Sequence, residues 1–330
     1  MKSRAARLLG FGRDVDVLRV DSIEVPEPAP HQVRVRMIAS PVHPADLNVI
    51  EGKYGALPAL PATPGSEGFG EVTEIGAQVA RVRVGDVVVV LVPGNWCCER
   101  VVDESDVVAI PAGIDPIQAS MLVINPLTAW AMLHSRGVPA PGSWAVQNAA
   151  NSAVGRCVIQ IARVMGLRTL NLVRRQELCD ALRSLGADEV SADDAGFLEC
   201  AERLFADQRP ILGLNAVGGA AALVLANTLA DGGDLITYGA MARQPLKIPN
   251  GMLIFRGLQF RGFWLRRWLA EAAREDRDDA IRMLAGWMQD GRLQVAVDRV
   301  FPFDQVHDAI AAANSSGRNG KIVLNLADCR

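Results

Sequence analysis

Several residue types are scarce in this chain, and each scarcity narrows what it can be. Its 330 residues include only two tyrosines, Tyr54 and Tyr238, and four histidines. Of 34 basic residues only Lys2, Lys53, Lys247 and Lys321 are lysines, and the rest are arginines. Excess charge is missing too: 37 acidic residues leave a net charge of −3, which excludes the basic footprint of a general nucleic-acid binder. Arginine abundance without net charge reads as the mark of a GC-rich coding genome rather than of a phosphate-binding surface. The six cysteines (97, 98, 157, 179, 200 and 329) form no C-x-x-C or C-x-x-H pattern, and the only close pair, Cys97-Cys98, is adjacent. They read as reduced thiols, and the compartment expected is cytoplasmic.

Unbroken hydrophobic spans are also lacking. Two stretches, 116–135 and 210–230, are free of Asp, Glu, Lys and Arg over the ~20 residues a helix needs to cross a bilayer. The first is interrupted by Asn125-Pro126, the second by Gly213, Asn215, Gly218, Gly219 and Asn227. Both fit buried core segments better, so no membrane partner is expected. The N-terminus, MKSRAARLLGFGRDVDVL, is basic but has no apolar centre, and reads as a first strand rather than a leader.

What is present is a chain of two textures. The length predicts about two domains at ~150 residues each. In the first third, 33–37 alternates as VRVRM, 70–75 reads GEVTEI and 86–92 is the run DVVVVLV, with PEPAP and PALPATPG between strands. Short strands at this spacing predict a compact β-rich domain. Beyond about residue 116 strands and helices alternate. Strands are expected at 143–147, 168–173, 187–190, 211–217, 234–238 and 258–263. Helices are expected at 154–165, ended by Gly166, and 177–185, ended by Gly186. That alternation is the signature of a doubly wound parallel sheet, an α/β fold. The last 60 residues carry a charged helix and a closing strand, 321–326, that needs a sheet to join. The expected domains are therefore 1–115 with 270–330, and 116–269.

The strongest motif is QNAANSAVG at 147–155, set between a strand and a helix where a dinucleotide fold places its phosphate turn. On the G-x-G-x-x-G spacing, Ala150, Ser152 and Gly155 take the glycine positions, and only the last is glycine. Small residues still admit a pyrophosphate to the helix N-terminus. A strand-to-helix turn with no ligand is the plain alternative. The next strand ends in Val173-Arg174-Arg175, where an NAD site carries an acidic residue for the ribose. Two guanidiniums suit a 2′-phosphate, which makes NADPH the expected cofactor; an arginine pair on a solvated edge is the alternative. Zinc ligands are sparse: His43, His134 and His307 lie apart, and PGSEG at 64–68 offers Ser66 where a zinc family would offer His. No metal is expected. Tyr54, in the glycine-flanked IEGKYG, is placed to aim a phenol into a cleft as an acid or oxyanion donor, or to serve as a surface aromatic. Tyr238, in ITYGA, stacks near the cofactor or packs in the sheet.

The stretches HPADLNVIEGKYG, GNWCCERVV, INPLTAW, GSWAVQNAANSAVG, LRTLNLVR, NAVGG, GGDLITYGAMARQP and RGFWLRRW cover most of the chain. With them the sequence resembles a zinc-free medium-chain dehydrogenase/reductase, and within that superfamily most of all the mitochondrial-type trans-2-enoyl thioester reductases. The resemblance implies a GroES-like β-rich catalytic domain beside a Rossmann cofactor domain, and NADPH-dependent reduction of the C=C bond of an enoyl-CoA or enoyl carrier-protein thioester. It implies Tyr54 as the catalytic residue, protonating the α-carbon or supporting the enolate oxygen. Asn125 is implied near the nicotinamide, and Ala150, Asn151, Ser152, Val154 and Gly155 at the pyrophosphate. Arg174, with Arg175 beside it, is implied at the adenosine phosphate, and Tyr238, Gly239 and Met241 along the cofactor. Phe263 and Trp264 match an aromatic pair near the acyl pocket and a subunit contact, or are ordinary core aromatics. A homodimer through the edge near 258–263 is implied as well. His43 stands for the family's usual Asn, Glu51 for its usual Gln, and PGSEG is closer to the quinone-reductase form. An NADPH:quinone reductase, or a non-catalytic NADPH-binding protein, are accordingly the rival expectations.

Overall fold

The computed structural model describes every residue except Asp14, Asp207 and Arg330. It divides into two units, one of Met1–Ile124 with Arg274–Arg330 and one of Asn125–Ala273. In chain order the first unit takes strands β1 (Lys2–Leu8), β2 (Leu18–Glu24) and β3 (Gln32–Val42), then helix α1 (Pro44–Ile50). There follow β4 (Gly68–Ile75), β5 (Val87–Val90), β6 (Glu99–Asp103), β7 (Val107–Ala109) and the short α2 (Pro116–Ala119). The second unit runs α3 (Asn125–Leu133), β8 (Trp144–Asn148), α4 (Ala153–Val164), β9 (Arg168–Leu172), α5 (Cys179–Leu185) and β10 (Glu189–Ser191). It continues with α6 (Asp194–Leu204), β11 (Leu212–Asn215), α7 (Ala221–Thr228), β12 (Asp234–Thr237), α8 (Asn250–Ile254), β13 (Gln259–Gly262) and α9 (Leu265–Glu271). The chain then returns to the first unit with α10 (Arg274–Gln289), β14 (Val297–Pro302), α11 (Val306–Asn314) and β15 (Lys321–Asn325).

The first unit is the β-rich, GroES-like one. Its main sheet runs β14-β15-β3-β4-β5-β7, with β6 also pairing β3, while β1 and β2 form a separate antiparallel pair. β3 is long because its alternating VRVRM turns Val33, Val35 and Met37 into the core, all fully buried. Burying an aliphatic side chain of that size contributes roughly 1.5–3 kcal/mol, so this row fixes the register of the strand. The closing strand β15 lies antiparallel to β3 with Ile322 opposite Val42, which sets Lys321 beside His43 across 278 residues of chain. Residue 116 onward was expected in the other domain, yet α2 belongs to the first unit: the Gln118 side chain both donates to the Val295 carbonyl and accepts from its N–H.

The second unit is a parallel sheet in the order β10-β9-β8-β11-β12-β13. Chain order reverses between β8 and β11, and in such sheets ligands bind at the carboxyl ends of the strands beside that reversal. The expected strands and helices are present with ends shifted by a residue or two. Gly166 and Gly186 end α4 and α5 in the left-handed region, φ +71 and +112. One expected charged helix is in fact two, because α9 stops at Glu271 and α10 begins at Arg274.

The cysteine expectation needs correction. Cys98 and Cys329 form a disulfide with their Cα atoms 5.4 Å apart, while Cys97, Cys157, Cys179 and Cys200 are not disulfide-bonded. The two meet because both flank β3: the Cys98 carbonyl accepts from Met37, and the tail after β15 turns in as Leu326 donates to Ile38. Among the described residues no helix is long and apolar enough to cross a membrane.

Candidate functional site

In the second unit the site is built on the turn Ala149–Ser152. Ala149 sits at φ +49, Ala150 is fully buried, and Ser152 caps α4 by accepting the Gly155 N–H at 3.1 Å. A Cβ on Gly155 would lie 2.7 Å from both the Cα and the carbonyl oxygen of Ala150, so only glycine lets the helix approach the turn this closely. The Gln147 amide ties the same glycine from beneath, donating to its carbonyl at 3.0 Å. Asn151 is exposed, and Ser152 and Val154 are half-buried.

Amides bridge the strand ends on either side of the order reversal. Asn148 donates to Asn215 at 2.8 Å and accepts the Ala216 N–H, and Asn215 donates to Thr237 at 3.0 Å. This pins the loop after β11 against the loop after β12, where Gly239 leaves no room for a Cβ over the Ala216 carbonyl and Met241 donates to that same oxygen. Tyr238 is half-buried with its hydroxyl enclosed; burial raises its pKa, and the nearby Ser152 side chain opposes that without an aligned hydrogen bond. The Asn125 side-chain nitrogen is likewise buried without a hydrogen-bond partner among the described residues. Arg174 and Arg175 are exposed just past β9, Arg175 3.4 Å from Glu177. A helix start at Gly155 closed to any Cβ, an N-terminal cap, two enclosed polar atoms seeking partners and two exposed guanidiniums together suit a phosphorylated dinucleotide. Phe263 is half-buried and Trp264 is exposed, both just past the outermost strand.

In the first unit Tyr54 is half-buried and follows α1 closely. The helix ends in a double backbone cap, Gly52 donating to Val49 and Lys53 to Asn48, with Gly52 at φ +73. Glu51 accepts from Lys53 at 2.7 Å and pairs with Arg13 at 3.1 Å, and these contacts hold its pKa below the ordinary value.

The N-terminus of α1 lies in a buried polar cluster that sequence reasoning did not assemble. His43 Nδ1 is 2.8 Å from Lys321 Nζ, and its Nε2 is 2.7 Å from Glu67 Oε1. An ammonium can only donate, so the network assigns the ring proton to Nε2 and leaves His43 neutral. Burial, then the charge of Lys321, lowers the His43 pKa accordingly. The other Glu67 oxygen accepts the Val123 and Ile124 N–H groups at 2.7 and 2.8 Å. Asp46 accepts from the His43 N–H at 2.8 Å and from Ser66 Oγ at 2.5 Å. Burial pushes Glu67 above the usual carboxylate range and Asp46 up to about 6, against the pull of these donors. The available signal was Lys321 itself, one of four lysines, placed directly before the apolar run Ile322, Val323, Leu324. Among the described residues no group of three or more His, Cys, Asp or Glu is placed to hold a metal ion.

Two family models match the chain. Residues 29–124 match the alcohol dehydrogenase GroES-like domain family and residues 185–324 the zinc-binding dehydrogenase family. The mitochondrial enoyl-[acyl-carrier-protein] reductase of Xenopus tropicalis is 40% identical over 292 residues, 86% of this chain and 83% of the relative. The Homo sapiens enzyme of that name is 36% identical over 330 residues, 97% and 88% of the two chains. Among solved structures, a candidate NADPH:quinone reductase from Bacillus thuringiensis superimposes with TM-score 0.90 at 26% identity, covering 98% of this chain and 99% of that one. A complex of Etr1p with NADP and crotonyl-CoA superimposes with TM-score 0.86 at 26% identity, covering 98% and 100%. These relatives also correct the cytoplasmic expectation. From Xenopus tropicalis to Arabidopsis thaliana they are named as mitochondrial proteins, and that is the compartment they point to.

Proposed function

The chain belongs to the enoyl-[acyl-carrier-protein] reductase family of the medium-chain dehydrogenase/reductases, and from that membership we propose that it reduces the C=C bond of a 2-enoyl thioester with NADPH. The carrying observation is that the chain holds both a dinucleotide turn, with two exposed arginines past the next strand β9, and a Tyr54 loop capped onto α1. NADPH, when bound, supplies a hydride for the substrate β-carbon. The turn Ala150–Gly155 receives the pyrophosphate, Arg174 and Arg175 the 2′-phosphate, and the enclosed polar atoms of Asn125 and Tyr238 lie along the cofactor with Gly239 and Met241. Phe263 and Trp264 border the acyl chain. Tyr54 gives its phenolic proton to the α-carbon, or holds the enolate oxygen while solvent does so, which completes addition of hydride and proton across the double bond. His43 has both ring nitrogens engaged and Ser66 spends its hydroxyl on Asp46, so the reaction is assigned no zinc ligand set.

The quinone reading keeps the support of PGSEG and of the TM-score of 0.90 to the Bacillus thuringiensis protein. Quinones accept hydride with little need of a placed acid. Following absorbance of the reduced nicotinamide with crotonyl-CoA and with benzoquinone, under NADPH and NADH in turn, separates the two. Rapid oxidation of NADPH by crotonyl-CoA and slow oxidation by quinone is expected; fast quinone turnover with an inert thioester contradicts the proposal, and cofactor binding without turnover of either leaves only a binding protein.

A homodimer is proposed through β13, the outer strand of its sheet, which leaves a row of backbone groups without a neighbouring strand. The preceding helix leaves Ile254 and Phe255 70% and 83% exposed. Light scattering of the purified protein is expected to give twice the 35.4 kDa chain mass; a monomer at micromolar concentration contradicts it.

A further inference from the structure

We propose that Glu67 is a positioning residue for the reduction, tying the N-terminal end of α1, and through α1 the Tyr54 loop, to residues 123–124; this rests on the reading of Tyr54 given above. The geometry divides the carboxylate into two sides. Oε1 takes the His43 Nε2–H, and Oε2 takes two successive backbone N–H groups, Val123 and Ile124. His43 immediately precedes α1, whose first turn is locked by Asp46 accepting the His43 N–H. Its far end is locked by the Gly52 and Lys53 caps, and Tyr54 follows. There is little slack between the buried carboxylate and the phenol: seven helical residues and a closed cap. On the other side, residues 123 and 124 are the last of the first unit, and the chain continues directly into Asn125.

The rest of the cluster keeps Glu67 in its place. Ser40 Oγ donates to the Glu67 carbonyl at 2.6 Å, and Gly68, the next residue, opens β4. Lys321 holds the His43 ring in the tautomer that donates to Glu67, and Asp46, which accepts from Ser66 Oγ, faces the same lysine charge. The groups meeting Glu67 from the packed elements are thus His43 from the start of α1, Lys321 from β15, Asp46 from within α1 and the two amides. A buried carboxylate with three N–H donors is costly to remove from water, so taking away any one donor leaves a charge that the buried surroundings do not solvate.

Glu67→Gln is a one-sided cut. The amide oxygen can still accept from Val123 and Ile124, but the amide nitrogen then faces the His43 Nε2–H, donor against donor. Hydrogen–deuterium exchange of this variant is expected to rise across 43–54 while 123–124 stays protected, a result that does not depend on which substrate the enzyme takes. With crotonyl-CoA, kcat is expected to fall at least tenfold with the KM for NADPH within twofold. Adding Glu67→Gln to Tyr54→Phe should cost less than a further twofold, since both remove the same proton delivery. Unchanged exchange at 43–54, or losses that multiply in the double variant, would overturn the proposal. Should Glu67→Gln fail to fold, His43→Phe removes the donor from the other partner and must give the same exchange pattern and the same non-additivity with Tyr54→Phe. A wild-type enzyme inert toward crotonyl-CoA contradicts the enoyl-reductase reading instead, and leaves the exchange result to decide whether Glu67 holds the Tyr54 segment.

Discussion

Tyr54→Phe is expected to lower kcat for crotonyl-CoA by roughly 10²–10⁴-fold, the range that a placed proton donor contributes. The ring is retained, so packing around the half-buried side chain changes little, and NADPH binding should be the same within about twofold because the residue lies in the other unit from the dinucleotide turn. The only other tyrosine does not replace it: the Tyr238 hydroxyl is enclosed beside Ser152, and burial makes it a poorer acid. Steady-state kinetics at saturating NADPH checks the effect. A variant that binds NADPH normally and reduces crotonyl-CoA at the wild-type rate removes the acid role from Tyr54.

The second large effect is on cofactor choice. Arg174 and Arg175 are exposed beyond β9, and among the described residues Arg174 makes no hydrogen bond or ion pair that would compete for a phosphate, while Arg175 pairs with the exposed Glu177. Hydrogen bonds to a charged group contribute about 1.5–3 kcal/mol, which is roughly 10- to 100-fold in affinity for one lost pair. Replacing both arginines by alanine is expected to raise the KM for NADPH by about 100-fold or more while leaving NADH, which has no 2′-phosphate, within about threefold. The preference should weaken in the wild type at high salt, as exposed charge pairing does. Equal losses for the two cofactors would assign the pair to fold stability rather than to the phosphate.

The second unit was legible because its punctuation is local. Gly166 and Gly186 each take a left-handed conformation at a helix end, and each lies where the apolar pattern stops. The α4 pattern ran true for the same reason: Ser152 caps it and its apolar face, Val158, Ile159 and Ile161, is wholly buried. The first unit was less legible. β2, β6 and β14 carry mixed polar sequences with few buried positions, so alternation alone does not mark them. α1 is seven residues long, too short for a helical period to show, and is held by Asp46 and by the Gly52 cap rather than by propensity.

Long-range pairing defeated sequence reasoning altogether. His43 could be marked as a departure from the family, and Ser66 as a residue in place of a metal ligand, but nothing local joins either to Lys321. The antiparallel register of β15 on β3 makes that contact, and a shift of one residue would turn the lysine out of the core. The disulfide escaped for a similar reason. Cys98 and Cys329 are 231 residues apart and are brought together by a strand that each flanks. Residue chemistry suggested Tyr54, the phosphate turn and the arginine pair; only the fold assembled Glu67, His43 and Lys321 around the base of the helix that leads to Tyr54.

The most direct test of the enoyl-reductase account follows the label. NADPH deuterated at the transferring position of the nicotinamide, with crotonyl-CoA in ordinary water, should give butyryl-CoA carrying one deuterium at the β-carbon by mass spectrometry and NMR. The converse, unlabelled NADPH in deuterium oxide, should place it at the α-carbon. Deuterium from the cofactor at the α-carbon, or no labelled thioester while benzoquinone consumes NADPH, would contradict the account.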